Sequence, residues 1–468
     1  MPEHFDAIVI GTGQAGPPLA VKLAGAGRKV AVIERGRFGG TCVNTGCIPT
    51  KTLIASARVA HVARDAERFG VSAGRVGVDM KRVKARMEGV SGASRVGVEK
   101  MLAEVPNCTV YRAHARFLSD REVRAGDAVL TADQIFINIG ARASIPPMPG
   151  LDRVACLTNS SMMNIDFVPA HLVVVGGGYV GLEFAQMYRR FGSQVTIVER
   201  GPRLIAHEDS DVSDAVRGIL ENEGIAVRLN ADCIALAPLA GGVEVRANCE
   251  SGEEAIRGSH VLIAVGRRPN TDDLGLENTG IQRDDRGYIQ VDDELRTGVP
   301  GVWALGDCNG RGAFTHTSYN DYEIVAANLL ENGQRRVSDR IAAHAVYIDP
   351  PLGRAGATEE EVQRSGRPAL IGKRLMTHVG RAVEKGETQG FIKILVDAES
   401  RQISGAAILG VEGDEAIHCI LDVMYAKAPY TVLEHAMHIH PTVSELIPTV
   451  LGELKPLEVP ARSRGAEK

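Results

Sequence analysis

The chain lacks net positive charge, long apolar runs and abundant cysteine, and each shortage removes a class of function. Its 53 Lys and Arg stand against 58 Asp and Glu, a formal charge of −5. No long basic block is present to attract phosphate backbones, so nucleic acid is not an expected partner. No apolar run approaches the ~18–20 residues of a membrane helix, and no membrane span is expected. The opening Met1 to Asp6 carries neither a basic stretch nor a cleavage site, which points away from a signal peptide and towards the cytoplasm. Eight cysteines in 468 residues are too few and too scattered for a secreted disulfide scaffold. Aromatics make up only 4%. Glycine, in contrast, is plentiful at 52 residues. The length exceeds the roughly 250–300 residues at which single cores stop growing, so two or more domains are expected.

The glycines are organised. The apolar run Ala7-Ile8-Val9-Ile10 enters Gly11-Thr12-Gly13-Gln14-Ala15-Gly16, followed by a helical stretch to about Gly27, strand Lys29 to Ile33, and Glu34. This order of strand, G-x-G-x-x-G, helix, strand and acid describes a dinucleotide-binding βαβ unit. The unit begins again 165 residues later: Leu172 to Val175, Gly176-Gly177-Gly178-Tyr179-Val180-Gly181, a helix to about Phe191, strand Gln194 to Val198, and Glu199. In both copies the acid lies 23 residues past the first glycine. The first glycine permits the tight turn, the second admits the pyrophosphate and the third lets helix and strand pack. The pyrophosphate meets unpaired N–H groups at the helix start, and the acid binds a ribose hydroxyl.

The stiff connector Ser144 to Gly150 separates the two units, and the second closes near Val261 to Gly266. Strand-like Val302 to Leu305 then leads to Gly306-Asp307. From about Ala343 hydrophobic segments with glycine breaks, then two helical stretches, indicate an α+β third domain. The expected fold is therefore α/β, with two Rossmann-like units and an α+β C-terminal domain. Its divisions are expected at 1–150, 151–268, 269–342 and 343–468, with a frayed tail from Ala461 to Lys468.

The stretch Gly39-Gly40-Thr41-Cys42-Val43-Asn44-Thr45-Gly46-Cys47-Ile48-Pro49-Thr50-Lys51 carries the chemistry. Ideal helix geometry would set cysteines five apart at roughly 8.6 Å between Cα atoms, beyond the ~7 Å a disulfide spans. A bond between them therefore requires a distorted backbone around Val43–Gly46. So short a loop would add little stability, and redox use is the better reason for it. A helix N-terminus and Lys51 both favour a thiolate. Two core cysteines, or half of a metal site, are the alternatives, but no second close Cys or His pair completes a zinc site. Cys108, Cys156, Cys233, Cys249, Cys308 and Cys419 are isolated and read as ordinary buried thiols.

This stretch resembles the redox-disulfide signature of the flavin-dependent pyridine nucleotide–disulfide oxidoreductases, which include dihydrolipoamide dehydrogenase, glutathione reductase and mercuric reductase. The resemblance implies a glutathione-reductase-type fold, with Cys42 as the interchange thiol and Cys47 as the sulfur beside the flavin. It places FAD on the first unit, held by Gly11, Gly13, Gln14, Ala15, Gly16, Glu34, Gly40, Thr41, Lys51, Ala115, Gly140, Asp307, Phe314 and Thr315. It places a nicotinamide nucleotide on the second, at Gly176, Gly178, Tyr179, Val180, Gly181, Glu199 and Gly266. Glu183 corresponds to a carboxylate that pairs with Lys51. Glu199 favours NADH by repelling a 2′-phosphate, while Arg200 and Arg203 would admit NADPH. Ile137-Asn138-Ile139-Gly140 departs from the family's usual Ala-Thr-Gly.

His438-Ile439-His440-Pro441-Thr442-Val443-Ser444-Glu445 is the second chemical element. A thiol cycling between thiolate and disulfide needs a base titrating near neutrality, and a carboxylate can fix that histidine's tautomer. His440 and Glu445 supply both. The run resembles the family's catalytic motif, in which the histidine reaches the other subunit's disulfide, implying a homodimer. The acceptor is expected to be a disulfide, quinone or metal ion. A mercuric or Cu(II) reductase, a dihydrolipoamide dehydrogenase and a non-catalytic FAD redox sensor are the alternatives. The last cysteine, Cys419, precedes the histidine motif, so the C-terminal cysteine pair of mercuric reductases is missing. Ala313 to Tyr322 and Asp349 to Gly356 look similar to the mercuric-reductase-like branch that includes the reactive-chlorine-resistance flavoprotein.

Overall fold

Four-residue and longer apolar runs with no polar face demand cover on both sides, and the chain provides it with helices. The computed structural model describes residues 1–231, 233–247 and 255–458; the predicted tail and Cys249 lie outside them. The first sheet has seven strands, five of them parallel in the order Cys108–Tyr111, Val30–Ile33, Glu3–Ile10, Ala128–Ile137 and Val302–Ala304. Ala7, Ile8, Val9, Val30, Ala31 and Val32 are fully buried in it. The strand Val302–Ala304 joins this sheet from far along the sequence, pairing with Ile135–Ile137, and so carries Gly306 and Asp307 to the mouth of the first glycine turn.

The second unit repeats the frame with five parallel strands, in the order Ala226–Arg228, Gln194–Val198, His171–Val175, His260–Ile263 and Cys156–Leu157. A three-stranded antiparallel ribbon, Ala235–Leu239, Gly242–Arg246 and Ile256–Gly258, packs beside it. The C-terminal region is a six-stranded antiparallel sheet running from Ala343–Val346 to Lys455–Pro456, with helix Gly413–Tyr425 against it. One hydrophobic cluster ties these regions together. Leu53 and Ala57 of helix Cys47–Arg64 meet Leu182 and Phe184 of helix Tyr179–Phe191, and that cluster extends to Leu352 and Phe391 of the C-terminal sheet. This packing sets Lys51 and Glu183, close by on the two helices, face to face. Among the described residues no helix is long and apolar enough to cross a membrane.

Candidate active site

Each glycine turn is fixed by main-chain bonds that follow from its sheet. Gly11 N–H donates to Ile33 O and Gly176 N–H to Val198 O, both at 2.8 Å. Gly11 and Gly176 have φ of 99° and 113°, a left-handed backbone that glycine adopts without a Cβ penalty. In the first turn Glu34 accepts the Thr12 N–H at 2.9 Å, the Thr12 hydroxyl at 2.6 Å and the Gly36 N–H at 2.7 Å. In the second, Glu199 accepts the Gly177 N–H at 2.5 Å and the Gly201 N–H at 2.6 Å. Both acids are thereby held at the ends of their strands, at the rim of the same cleft.

That cleft, of about 1620 Å3, runs across both turns. Every predicted site residue lines it except Ala15, Gly16, Gly181, His440 and Glu445. Ala15, Gly16 and Gly181 are buried behind the turns, and Gly16 and Gly181 pack there against the Gly11 and Gly176 carbonyls. Gly178 and Gly266 differ from them. No atom beyond the adjoining residues lies within 4 Å of where a Cβ on either would stand; Gly266 also needs its left-handed backbone, with φ of 120°, whereas at Gly178 only the open cleft is served. Gly140 is equally open. The cradle therefore fits two dinucleotides of the kind the paired G-x-G-x-x-G turns call for.

The cysteine pair sits between the turns. Helix Gly40–Asn44 stops at Thr45 and Gly46, and helix Cys47–Arg64 begins afresh. This is the backbone break that the five-residue spacing requires for the sulfurs to meet. Cys42 and Cys47 are both thiols here and hydrogen-bond to each other. Cys47 Sγ also lies 3.0 Å from Thr315 Oγ1. The Cys42 thiol, most of all, brings Cys47 down to about 6; burial opposes this, while the Thr315 hydroxyl and the Lys51 charge assist and Glu183 opposes. Cys42 moves the other way, raised by its bond to Cys47 and by burial. The hydrogen bond between them thus favours Cys47 as the thiolate, with Cys42 as the donor. Lys51 Nζ contacts Glu183 at 2.6 Å and stands 4.5 Å from the centre of the Tyr347 ring. Glu183, only 8% exposed, also accepts the Tyr347 N–H at 3.0 Å.

Asp307 reaches the cleft from its turn after Val302–Ala304, and Arg267 Nη2 holds it at 3.0 Å. Asp321 fixes that turn by accepting the Gly306 N–H at 2.6 Å, and Arg340 pairs with Asp321. His440 Nδ1 lies 2.9 Å from Glu445 Oε2, the predicted dyad, but the imidazole is 80% exposed and stands away from its own chain's cleft. One protomer does not bring it to the cysteines. Met437 and Ile439 beside it are 98% and 80% exposed, an apolar surface that lacks cover in a single chain.

Sequence reasoning missed several groups. Asn138 is 5% exposed; its Oδ1 accepts the Gly16 N–H at 3.1 Å and its Nδ2 donates to Leu305 O at 2.9 Å. It ties the first glycine turn to the strand that delivers Asp307, and the departure from Ala-Thr-Gly at this point was its only signal. Arg267 and Glu208 carried no local signature, and Tyr347 and His344 read from the sequence as structural residues; Tyr347 lines the cleft and His344 does not. Cys233 is disulfide-bonded, contrary to its reading as an ordinary thiol. Among the described residues, Cys308 is fully buried, and Cys108, Cys156 and Cys419 are partly exposed. The one carboxylate trio placed for a cation among the described residues, Asp209, Asp211 and Glu359, is satisfied by Lys393 Nζ at 2.8, 2.7 and 3.0 Å.

Residues 5–321 match the pyridine nucleotide-disulphide oxidoreductase family, and residues 342–451 match the dimerisation domain of that family. The chain is 36% identical over 449 residues to the probable pyridine nucleotide-disulfide oxidoreductase RclA of Escherichia coli, covering 94% of this chain and 97% of that protein. It is 34% identical to dihydrolipoyl dehydrogenase of Thermus scotoductus, with 94% and 95% covered. Among solved structures it is similar to the Cu(II) complex of the HOCl-induced flavoprotein disulfide reductase RclA from Escherichia coli, with a TM-score of 0.88, 34% identity, and 97% and 99% of the two chains covered.

Proposed function

This chain belongs to the pyridine nucleotide-disulphide oxidoreductases, and we propose that it is a cytoplasmic, homodimeric flavoprotein that draws electrons from NADH, or less readily NADPH, to reduce a disulfide, quinone or metal ion through Cys42 and Cys47. The observation that carries this reading is the polarised thiol pair beside Thr315 and Lys51, in the one cleft that also takes in both glycine turns. FAD, held by the first turn with Glu34, Asp307 and Gly140, would supply the two-electron relay between the nicotinamide and the sulfurs. We assign residues 1–150 and 269–342 to FAD, 151–268 to the nicotinamide nucleotide and 343–468 to dimerisation.

The chain's own residues then divide the work. Cys42, facing the acceptor, attacks one sulfur of a substrate disulfide as the thiolate, after His440 of the second copy takes its proton, and the first thiol leaves. Cys47, already a thiolate, then attacks Cys42, expelling the second sulfur as a thiolate that takes its proton from solvent, and closing the Cys42–Cys47 bond. His440 returns its proton to a leaving sulfur, and Glu445 holds the imidazole orientation and supports its positive form. Lys51 favours the Cys47 thiolate, while Glu183, which opposes it, holds the Lys51 ammonium in place. For the nucleotide, Glu199 presents its carboxylate at the end of Gln194–Val198, and Arg203 is engaged by Glu360 at 3.3 Å, which favours NADH. Because a similar protein has been solved with Cu(II), Cu(II) is the metal acceptor to assay beside small disulfides, dihydrolipoamide and quinones.

The test is Cys42→Ser. The variant is expected to keep FAD and to let NADH reduce it, while disulfide turnover disappears. Retained turnover overturns the interchange role.

A further inference from the structure

The wall of the cleft that holds Lys51 is drawn from three parts of the chain. Helices Cys47–Arg64 and Tyr179–Phe191 each carry two charged residues seven apart, Lys51 with Arg58 and Glu183 with Arg190. Seven residues is close to two helical turns, so each pair lies along one face. The segment Tyr347-Ile348-Asp349, directly after strand Ala343–Val346 of the C-terminal sheet, runs along both pairs. At one end the Tyr347 N–H donates to Glu183 Oε1 at 3.0 Å, and the Tyr347 ring centre stands 4.5 Å from Lys51 Nζ. At the other end Asp349 N–H donates to Gln186 Oε1, and Asp349 O accepts from Gln186 Nε2, both at 2.8 Å. The Asp349 carboxylate is shared by Arg58 and Arg190. Arg190 also pairs with Glu223 and Arg58 with Glu387, each at 2.7 Å.

The knot around Asp349 does not touch the cleft: Arg58, Gln186, Arg190 and Asp349 all lie outside its lining, whereas Lys51, Glu183 and Tyr347 are part of it. Buried charges are costly unless they are paired and hydrogen-bonded. Here the pairing fixes the main chain of Asp349 on helix Tyr179–Phe191, and with it the ring two residues earlier. A cation is drawn to the face of an aromatic ring, so Lys51 is held twice, by the Glu183 charge and by the Tyr347 ring. Asp414 and Glu415, at the start of helix Gly413–Tyr425, act on the same tyrosine and become rival partners for Lys51 once the ring is gone. Cys47 faces Cys42, Thr315, Lys51 and Glu183, and of these four Lys51 is the cation. We propose that Tyr347 is a positioning residue whose ring, anchored through Asp349, holds the Lys51 ammonium on Glu183 and beside Cys47, so that the C-terminal domain helps to keep that sulfur a thiolate. This rests on reading Cys42 and Cys47 as the redox pair.

Anaerobic reduction of the FAD-loaded dimer by NADH at a series of pH values tests it, read from the long-wavelength thiolate–flavin band, with FAD content and a melting curve as checks on folding. Tyr347→Leu should raise the pH at which the band fades by about half a unit, the scale of one cation–π contact, and by less than Lys51→Met does. Tyr347→Phe keeps the ring and loses only the hydroxyl, so its fade should stay within about 0.2 unit of the unaltered protein. Tyr347→Met fills the space without a π face, and takes the place of Tyr347→Leu if that variant loses FAD. Added to Lys51→Met, Tyr347→Leu should move the fade no further. An unmoved fade in a folded Tyr347→Leu or Tyr347→Met, an equal shift in Tyr347→Phe, or a shift that persists in the Lys51→Met background would overturn the role of Tyr347 and leave the redox pair standing. Unaltered protein that shows no band at any pH would overturn the reading of the pair, and the proposal with it.

Discussion

The two glycine turns share one frame and fill it differently. In each, the N–H after the first glycine and the N–H two residues past the acid converge on the acid's carboxylate, at Glu34 and at Glu199. In each, the strand alongside donates back into the turn: Asn138 N–H to Ile10 O and Ala264 N–H to Val175 O, both at 2.8 Å. The difference lies in what those equivalent residues carry. Asn138 stitches the first turn shut, its Oδ1 lying 2.7 Å from where a Cβ on Gly13 would stand, and Gly40 closes over Gly13 from the other side. Ala264 has nothing to stitch with, and Gly178 faces open space. A stitched turn suits a cofactor that stays; an open one suits a nucleotide that enters and leaves. The same βαβ frame is thus tuned by one side chain on a neighbouring strand.

Substitution at the middle glycines should break the comparison most visibly. Gly13→Ala drives a methyl against Asn138, which cannot retreat without abandoning the Gly16 N–H and the Leu305 carbonyl. We expect a loss of about 1–3 kcal/mol in stability and poor FAD retention, read from the melting curve and the FAD-to-protein ratio after gel filtration. Gly178→Ala should melt normally, keep FAD, and bind NADH more weakly. Equal effects from the two would erase the distinction. Asn138→Ala, which removes the stitch itself, should cost about 1–2 kcal/mol, because it leaves buried partners unpaired, and should release FAD faster on dilution. The smallest effect belongs to Glu199→Ala: folding and FAD content hold, and the preference for NADH over NADPH narrows in kcat/KM. An unchanged ratio would place nucleotide choice outside the second acid.

What could be read from the sequence, and what could not, divides along a physical line. Turns and crossover strands are local and main-chain encoded, so the two units appeared complete, from Gly11 to Glu34 and from Gly176 to Glu199. The break at Thr45–Gly46 was legible too, since helix pitch alone forbids two sulfurs five residues apart from meeting. Asn138, by contrast, acts on Gly16 and Leu305 from 122 and 167 residues away, and Glu208 meets His344 across 136. Such ties are made by folding and leave no spacing behind. Ala15, Gly16 and Gly181 lie buried behind the turns, and a motif that names its residues together does not say which of them line the cleft. His440 and Glu445 were paired correctly, but chain order could not reveal that their imidazole points away from their own cleft.

The central claim is that Cys47 is a thiolate poised beside bound FAD. Anaerobic titration with NADH at a series of pH values tests it most directly, by following the long-wavelength absorption that a thiolate next to a flavin produces. Because the thiol's pKa is depressed, its anion is present well above pH 6 and lost as pH falls through about 6. The band should therefore be full at pH 8 after two electrons per subunit and fade across that lower window, with the fade moved to higher pH in Lys51→Met. A band absent at every pH, or one unaffected between pH 8 and pH 5, would contradict the account.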